Sequence, residues 1–274
     1  MKFNIVNSLR LAFFGMICAA PLQAAPLLLN FTPVGSPVTN VSPNLDAGIS
    51  AGHATGAVSA SDVSWNNLQT GDVASGLIWG DGTAATGVSV NLGVSAAGSD
   101  IIDFANNPTN VGLGTSLTAG IYSGSRVARY GIWGGGSTSS NIAVGVRIDG
   151  LAAGEYQIYV TGRNTANSGN LSAAFYASAG SGSLYDFSAV ANIASVANTA
   201  SATGSYLQNV NFGLLTVTLS EGQSLFVATQ GTTTEQRGFL NSLEVVAVPE
   251  PSTGLLLAGG LTVVVVMRRR QGKN

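Results

Sequence analysis

One cysteine, one histidine and two lysines are all that the 274 residues contain of those three types, and the lysines, Lys2 and Lys273, sit at the extreme ends. Cys18 lies inside an apolar N-terminal run, so a chain that loses this run has no disulfide, no thiolate metal site and no thiol nucleophile. Met16 and Ile17 before it fit a lipoprotein site poorly. His53 stands in a Gly/Ala/Ser/Thr loop with no acid or nucleophile beside it and reads as a solvated loop residue. Its isolation removes the usual serine-hydrolase base and a histidine-ligated zinc. Across residues 26–250, thirteen Asp and Glu stand against five arginines (Arg126, Arg129, Arg147, Arg163, Arg237), a net charge of about −8. Such a surface repels nucleic acid and anionic lipid, so no nucleic-acid partner is expected. Capped stretches of 3.6-residue apolar periodicity are missing as well, which leaves little room for helix in the body.

Three parts follow one another along the chain. Residues 1–25 have a basic start (Lys2, Arg10), an apolar run over 11–20 and the small residues Ala24 and Ala25, the plan of a signal peptide with cleavage expected within 24–26. Residues 26–247 form the body. Residues 248–274 open with Pro249, Glu250 and Pro251, which bias the backbone to an extended form and withhold two amide donors. An uncharged segment over 253–267 comes next, and then the cationic cluster Arg268, Arg269 and Arg270. A helix of about 15 residues is roughly 22 Å long, short of the ~30 Å hydrocarbon core, yet local thinning and snorkelling arginines can accommodate it. The basic end is the part that stays in the cytoplasm.

That order of parts closely resembles the PEP-CTERM sorting tail of Gram-negative surface proteins, with Pro249-Glu250-Pro251 as the motif and Arg268 to Arg270 as the basic end. The resemblance implies export, transient anchoring in the inner membrane, handling by an exosortase near the tripeptide, and delivery to the cell surface or an exopolysaccharide matrix. It names no activity.

The body is rich in glycine and small residues but keeps regular apolar alternation and a positive mean hydropathy, unlike a disordered chain. Strands are expected over 27–32, 86–92, 126–133, 142–148, 156–161, 171–177, 212–219, 224–229 and 239–246, with a further one at 77–82 ending in the Asp81-Gly82 turn signal. Residues 33–56, 100–117 and 178–203 read as loops. About ten short strands argue for an all-β antiparallel sandwich. The arrangement of residues 146–164, 214–228 and 237–246, with an Asn-containing turn entering the last strand, resembles the end of a galactose-binding-like jelly roll. That likeness implies a fold and assigns no ligand residue.

Chemistry is sparse. Trp79 and Trp133 are the candidate glycan contacts, and Trp65 is a third aromatic; buried core is the competing role for each. Asp81, Asp100, Asp103, Asp149 and Glu155 are the acids that a glycosidase would have to pair across a cleft. Asp72, Asp81, Asp100 and Asp103 offer loop oxygens of the type that calcium takes, but without EF-hand or nonapeptide spacing they read first as solvated surface acids. Gly80-Asp81-Gly82 and Gly134-Gly135-Gly136 are turns, because no lysine or following helix makes them phosphate loops. No catalytic residue, no cofactor and no resident metal are expected. The sequence favours a structural or adhesive sandwich, with a carbohydrate-binding module as the first alternative and a glycan-active hydrolase or lyase as the second.

Overall fold

The computed structural model describes residues 25–31, 65–68, 76–105, 110–111, 128–167, 169–197 and 206–249. Fifteen strands lie among them: β1 Leu27–Phe31, β2 Asn66–Leu68, β3 Ser89–Ser95, β4 Ile101–Asp103, β5 Asn110–Val111, β6 Ile132–Trp133, β7 Val144–Asp149, β8 Gly154–Thr161, β9 Ala173–Gly180, β10 Leu184–Asp186, β11 Ile193–Val196, β12 Gly213–Leu219, β13 Ser224–Gly231, β14 Phe239–Leu240 and β15 Ser242–Ala247. No α-helix occurs among the described residues. The all-β antiparallel sandwich expected from the sequence is what these strands build.

One sheet has the order β12-β8-β15-β1-β2 and the other β10-β4-β3-β7-β13-β9-β11, with β14-β6-β5 as a small third sheet. All pairings are antiparallel except β1 with β2. The first strand lies beside the last, Leu27 opposite Val245 and Leu29 opposite Leu243. Chain entry and exit are thus held in the middle of one sheet.

Period-two patterning explains which faces meet. Along β12, Leu215, Val217 and Leu219 are buried while Thr216 and Thr218 are exposed. Facing them across the sandwich are Val90, Leu92, Val144, Val146, Ile148, Phe175 and Val227, joined in one core with Leu27, Leu29, Ile158, Val160, Leu243 and Val245. β13 has no such alternation, being buried from Ser224 to Thr229. Its outer face has its own cover, a second cluster in which Phe226 meets Ile102, Phe104, Tyr185 and Phe187. Burial there pushes the Tyr185 phenol up to about 12.

This second cluster accounts for β4 and β10, two of the strands found where loops were expected. Residues 178–203, expected to be a loop, carry the end of β9 together with β10 and β11, and residues 100–117 carry β4 and β5. β10 and β4 pair through Tyr185 and Ile102, a contact of two apolar positions too brief to register as a period. The strand expected over 126–133 shrinks to Ile132–Trp133, its first two residues lying outside the described ones. That at 77–82 is a single bridge, Ile78 to Ala84.

Among the described residues no helix is long and apolar enough to cross a membrane. Of the expected signal peptide all but Ala25, together with the segment over 253–267 and Arg268, Arg269 and Arg270, falls outside those residues, as do Glu250, Pro251, Cys18, His53 and Asp72.

Candidate functional site

β8 runs eight residues, about 23 Å at strand rise, and its termini define the two ends of the sandwich. At the Gly154 end, Leu219 of β12 pairs with Gly154, and the amide of Val248 donates to the carbonyl of Glu155 at 2.8 Å. The loop carrying Trp79 is tied here too, because Gly80 donates its amide to Pro26, just ahead of β1. At the Thr161 end, Thr161 pairs with Ser242, Arg163 follows, and Trp133 pairs with Phe239. The two tryptophans singled out as glycan contacts therefore lie at opposite ends and cannot line one site.

The Thr161 end is where buried charge collects. Arg237 donates from Nε and Nη2 to the two oxygens of Glu235 at 2.6 and 2.8 Å, a bidentate pair. Asn164 adds a third donor to Glu235 at 2.8 Å, and Arg237 reaches the carbonyl of Gly136 with Nη1. The guanidinium lies 4.1 Å from the ring centroid of Trp133 and 5.5 Å from that of Phe239, two rings that are themselves nearly parallel, 11° apart in plane. Glu235 is 3% and Arg237 7% exposed, so both charges depend on one another rather than on water.

Asparagines replace main chain around this cluster. Asn241, between β14 and β15, donates to the carbonyls of Ala128 and Tyr130 and accepts from the amide of Arg163. Ala128 also donates to Asn30 and holds φ at +70°, an uncommon conformation for a side-chain-bearing residue. Arg163 is 2% exposed and binds the carbonyls of Asn167 and Gly169 with its Nη2. Gly162 and Gly238 are required here: a β-carbon on either would stand 2.2 Å from the Phe239 oxygen or 2.0 Å from the Thr229 oxygen.

A cleft opens between Asn164, Ser172, Gly231 and Glu235, with free space of about 10 Å³. That is room for about one water molecule, whereas sites for small organic ligands run to about 300–1,000 Å³. Among the described residues the cluster is thus a filled polar core.

Trp79 at the other end is half-buried against the main core. The turn after it closes as the Asp81-Gly82 signal implies: Gly82 sits at φ +86°, and Trp79 and Thr83 are joined through the main chain. Asp81 accepts from both the hydroxyl and the amide of Thr83, which holds its carboxyl below the usual carboxylate range. Trp65 is buried against Leu28.

The remaining acids are dispersed. Asp149 accepts from Arg147 and from the hydroxyl of Ser224; Asp103 caps the amide of Ala105. Among the described residues no three His, Cys, Asp or Glu side chains gather as a metal site would require. Sequence reasoning missed the Glu235–Arg237–Asn164 cluster altogether. Its signals were a Glu and an Arg two apart, hence on one side of an extended segment, and glycines bordering each arginine at 162 and 238. Pro249 is exposed at the end of β15.

Solved structures similar to this chain include a Bacillus subtilis protein, YxiM, at 13% identity and TM-score 0.37, covering 81% of this chain and 40% of that one. CBM35 from Cellvibrio japonicus Abf62 matches at 17% identity and TM-score 0.30, over 59% of this chain and 94% of the module. The isomalto-dextranase of Arthrobacter globiformis T6, solved with panose, matches at 16% and TM-score 0.25, over 57% of this chain and 23% of the enzyme. This chain thus spans less than half the length of the first of these. No curated protein matches it in sequence. Residues 247–271 match the PEP-CTERM protein-sorting motif, so the chain carries that sorting signal, which starts on the last residue of β15.

Proposed function

We propose that this protein is exported, processed by an exosortase, and placed at the cell surface or in an exopolysaccharide matrix, where its sandwich serves as a non-catalytic structural or adhesive module. The observation that carries the reading is the sorting motif over 247–271. In this reading residues 1–25 direct export, 26–247 are the working domain, and 248–274 anchor the chain in the inner membrane until processing. A non-catalytic role is supported by the state of the polar side chains. Glu235 and Arg237 are committed to each other, Asp81 and Asp103 cap their own turns, and Asp149 is held by Arg147 and Ser224.

A glycan-binding role is the second reading, favoured by the half-buried Trp79 beside the exposed turn of Asp81 to Thr83. An aromatic ring next to polar groups is what sugar stacking uses, but a single such residue gives little area.

The test of the main reading is the double substitution Pro249→Ala with Pro251→Ala in the native cells. The variant is expected to remain in the inner membrane with its tail intact; arrival at the surface at the normal processed mass would overturn the proposal. A glycan array and a reducing-end assay separate the roles of the body: binding with quenched tryptophan emission marks a module, released reducing ends mark an enzyme, and neither marks a structural part.

A further inference from the structure

We infer that the open half of the outer face of the seven-stranded sheet is a binding site for a neutral glycan chain. This rests on the glycan-binding reading above and gives it a site apart from Trp79. Val90, Leu92, Val146 and Ile148 point into the main core, so Ser89 and Asn91 of β3 and Arg147 and Asp149 of β7 stand on the opposite face. Ser89 lies across from Asp149, and Asn91 across from Arg147. One row further on, the same face is closed: a β-carbon on Gly93 would meet Ile102 and Phe104 at 2.8 Å, and one on Gly145 would meet Ile102 at 2.7 Å. The cluster around Phe226 covers that half and leaves the four polar residues partly open.

Arg147 donates from Nε and Nη2 to Oδ1 of Asp149 at 2.9 and 2.8 Å, and the hydroxyl of Ser224 donates to the same oxygen. Oδ2 of Asp149 and Nη1 of Arg147 lie outside these bonds, on side chains 31% and 24% exposed. Beside them, Oδ1 of Asn91 is closed to solvent and has no hydrogen-bond partner among the described residues, a costly state for an acceptor. Rotation about χ2 turns this oxygen to the open side, where a hydroxyl donor would satisfy it.

These open atoms select the partner's chemistry. An anion meets Asp149 and a strongly acidic body, while a cation meets the guanidinium of Arg147. An apolar partner would bury the ion pair without compensation. A protein interface takes about 800 Å² from each side, whereas the strip spans two strands about 4.8 Å apart and about 7 Å along each. That is the scale of one or two sugar rings. Sugar hydroxyls carry no charge and both donate and accept, so they match each open atom.

Affinity electrophoresis of the protein isolated from its own cells, in native gels containing soluble galactan, mannan, xylan or β-glucan, tests the site, with polygalacturonate as the charged control. At least one neutral polymer is expected to retard the protein, and polygalacturonate is not. Asn91→Ala and Arg147→Gln are each expected to raise the dissociation constant about tenfold, the loss of one or two hydrogen bonds, with the tryptophan emission maximum unchanged to show that each variant is folded. Retardation equal to wild type in both variants would overturn the inference; if Trp79→Ala then abolished it, the glycan-binding reading would stand with its contact at Trp79. Retardation by polygalacturonate alone would overturn the neutral class. No retardation of the wild type by any of the polymers would overturn both this site and the glycan-binding reading.

Discussion

The two ends of the sandwich treat charge in opposite ways. At the Thr161 end Glu235, Arg237 and Arg163 are withdrawn from water and each is satisfied by a neighbour or by main chain. At the Gly154 end Asp81 is left in solvent and stabilised by a turn two residues long. Long-range contacts made the first; local sequence made the second. Buried charge is costly to break and solvated charge is not, so the ends should respond very differently to the same kind of substitution.

The largest effect is expected from Arg237→Ala, which strands the carboxylate of Glu235 in a site closed to water and uncovers the rings of Trp133 and Phe239. Urea denaturation should show a loss of about 3–5 kcal/mol. A loss under about 1 kcal/mol would mean that the pair is solvated and that the contrast between the ends is false. Next in size is Asn241→Ala, which leaves the carbonyls of Ala128 and Tyr130 and the amide of Arg163 without their partner. About 2–3 kcal/mol is expected from the same measurement, since unsatisfied buried groups cost more than a bond contributes.

Asp81→Ala sharpens the comparison from the other side, with less than about 0.5 kcal/mol expected for an exposed position. Its pH dependence has a definite sign. Thr83 holds the Asp81 carboxyl below its unfolded value of 3.8, so the small stabilisation is present above that pH and is lost as the pH falls through the folded value. Wild type and variant should therefore converge in acid; a gap that widens on acidification would contradict the turn geometry.

The strands of the second half were legible because each is long enough to show its period: β12 alternates buried and exposed over seven residues. β10 and β11 were not, since three or four residues in a small, polar stretch carry no period; Tyr185 of β10 is buried against Phe226, and Ala194 and Val196 of β11 are buried in the main core. The Asn-containing turn before the last strand was visible as a pattern. Its reason was not, because the groups Asn241 satisfies, at Ala128, Tyr130 and Arg163, are 78 to 113 residues away. Trp79 and Trp133 looked equivalent in sequence, and the registry of β8 separates them by the length of the sandwich.

Read alone, the sequence determined the β class, the turn at Asp81-Gly82 and the sorting signal over 247–271, because period, turn chemistry and a contiguous motif are all local properties. Tertiary structure decided which charges are buried, which tryptophan is covered by a guanidinium, and how near the folded ladder comes to the signal. Each of those depends on groups that meet only when distant strands pair, and no local pattern encodes the desolvation that gives such a meeting its energy.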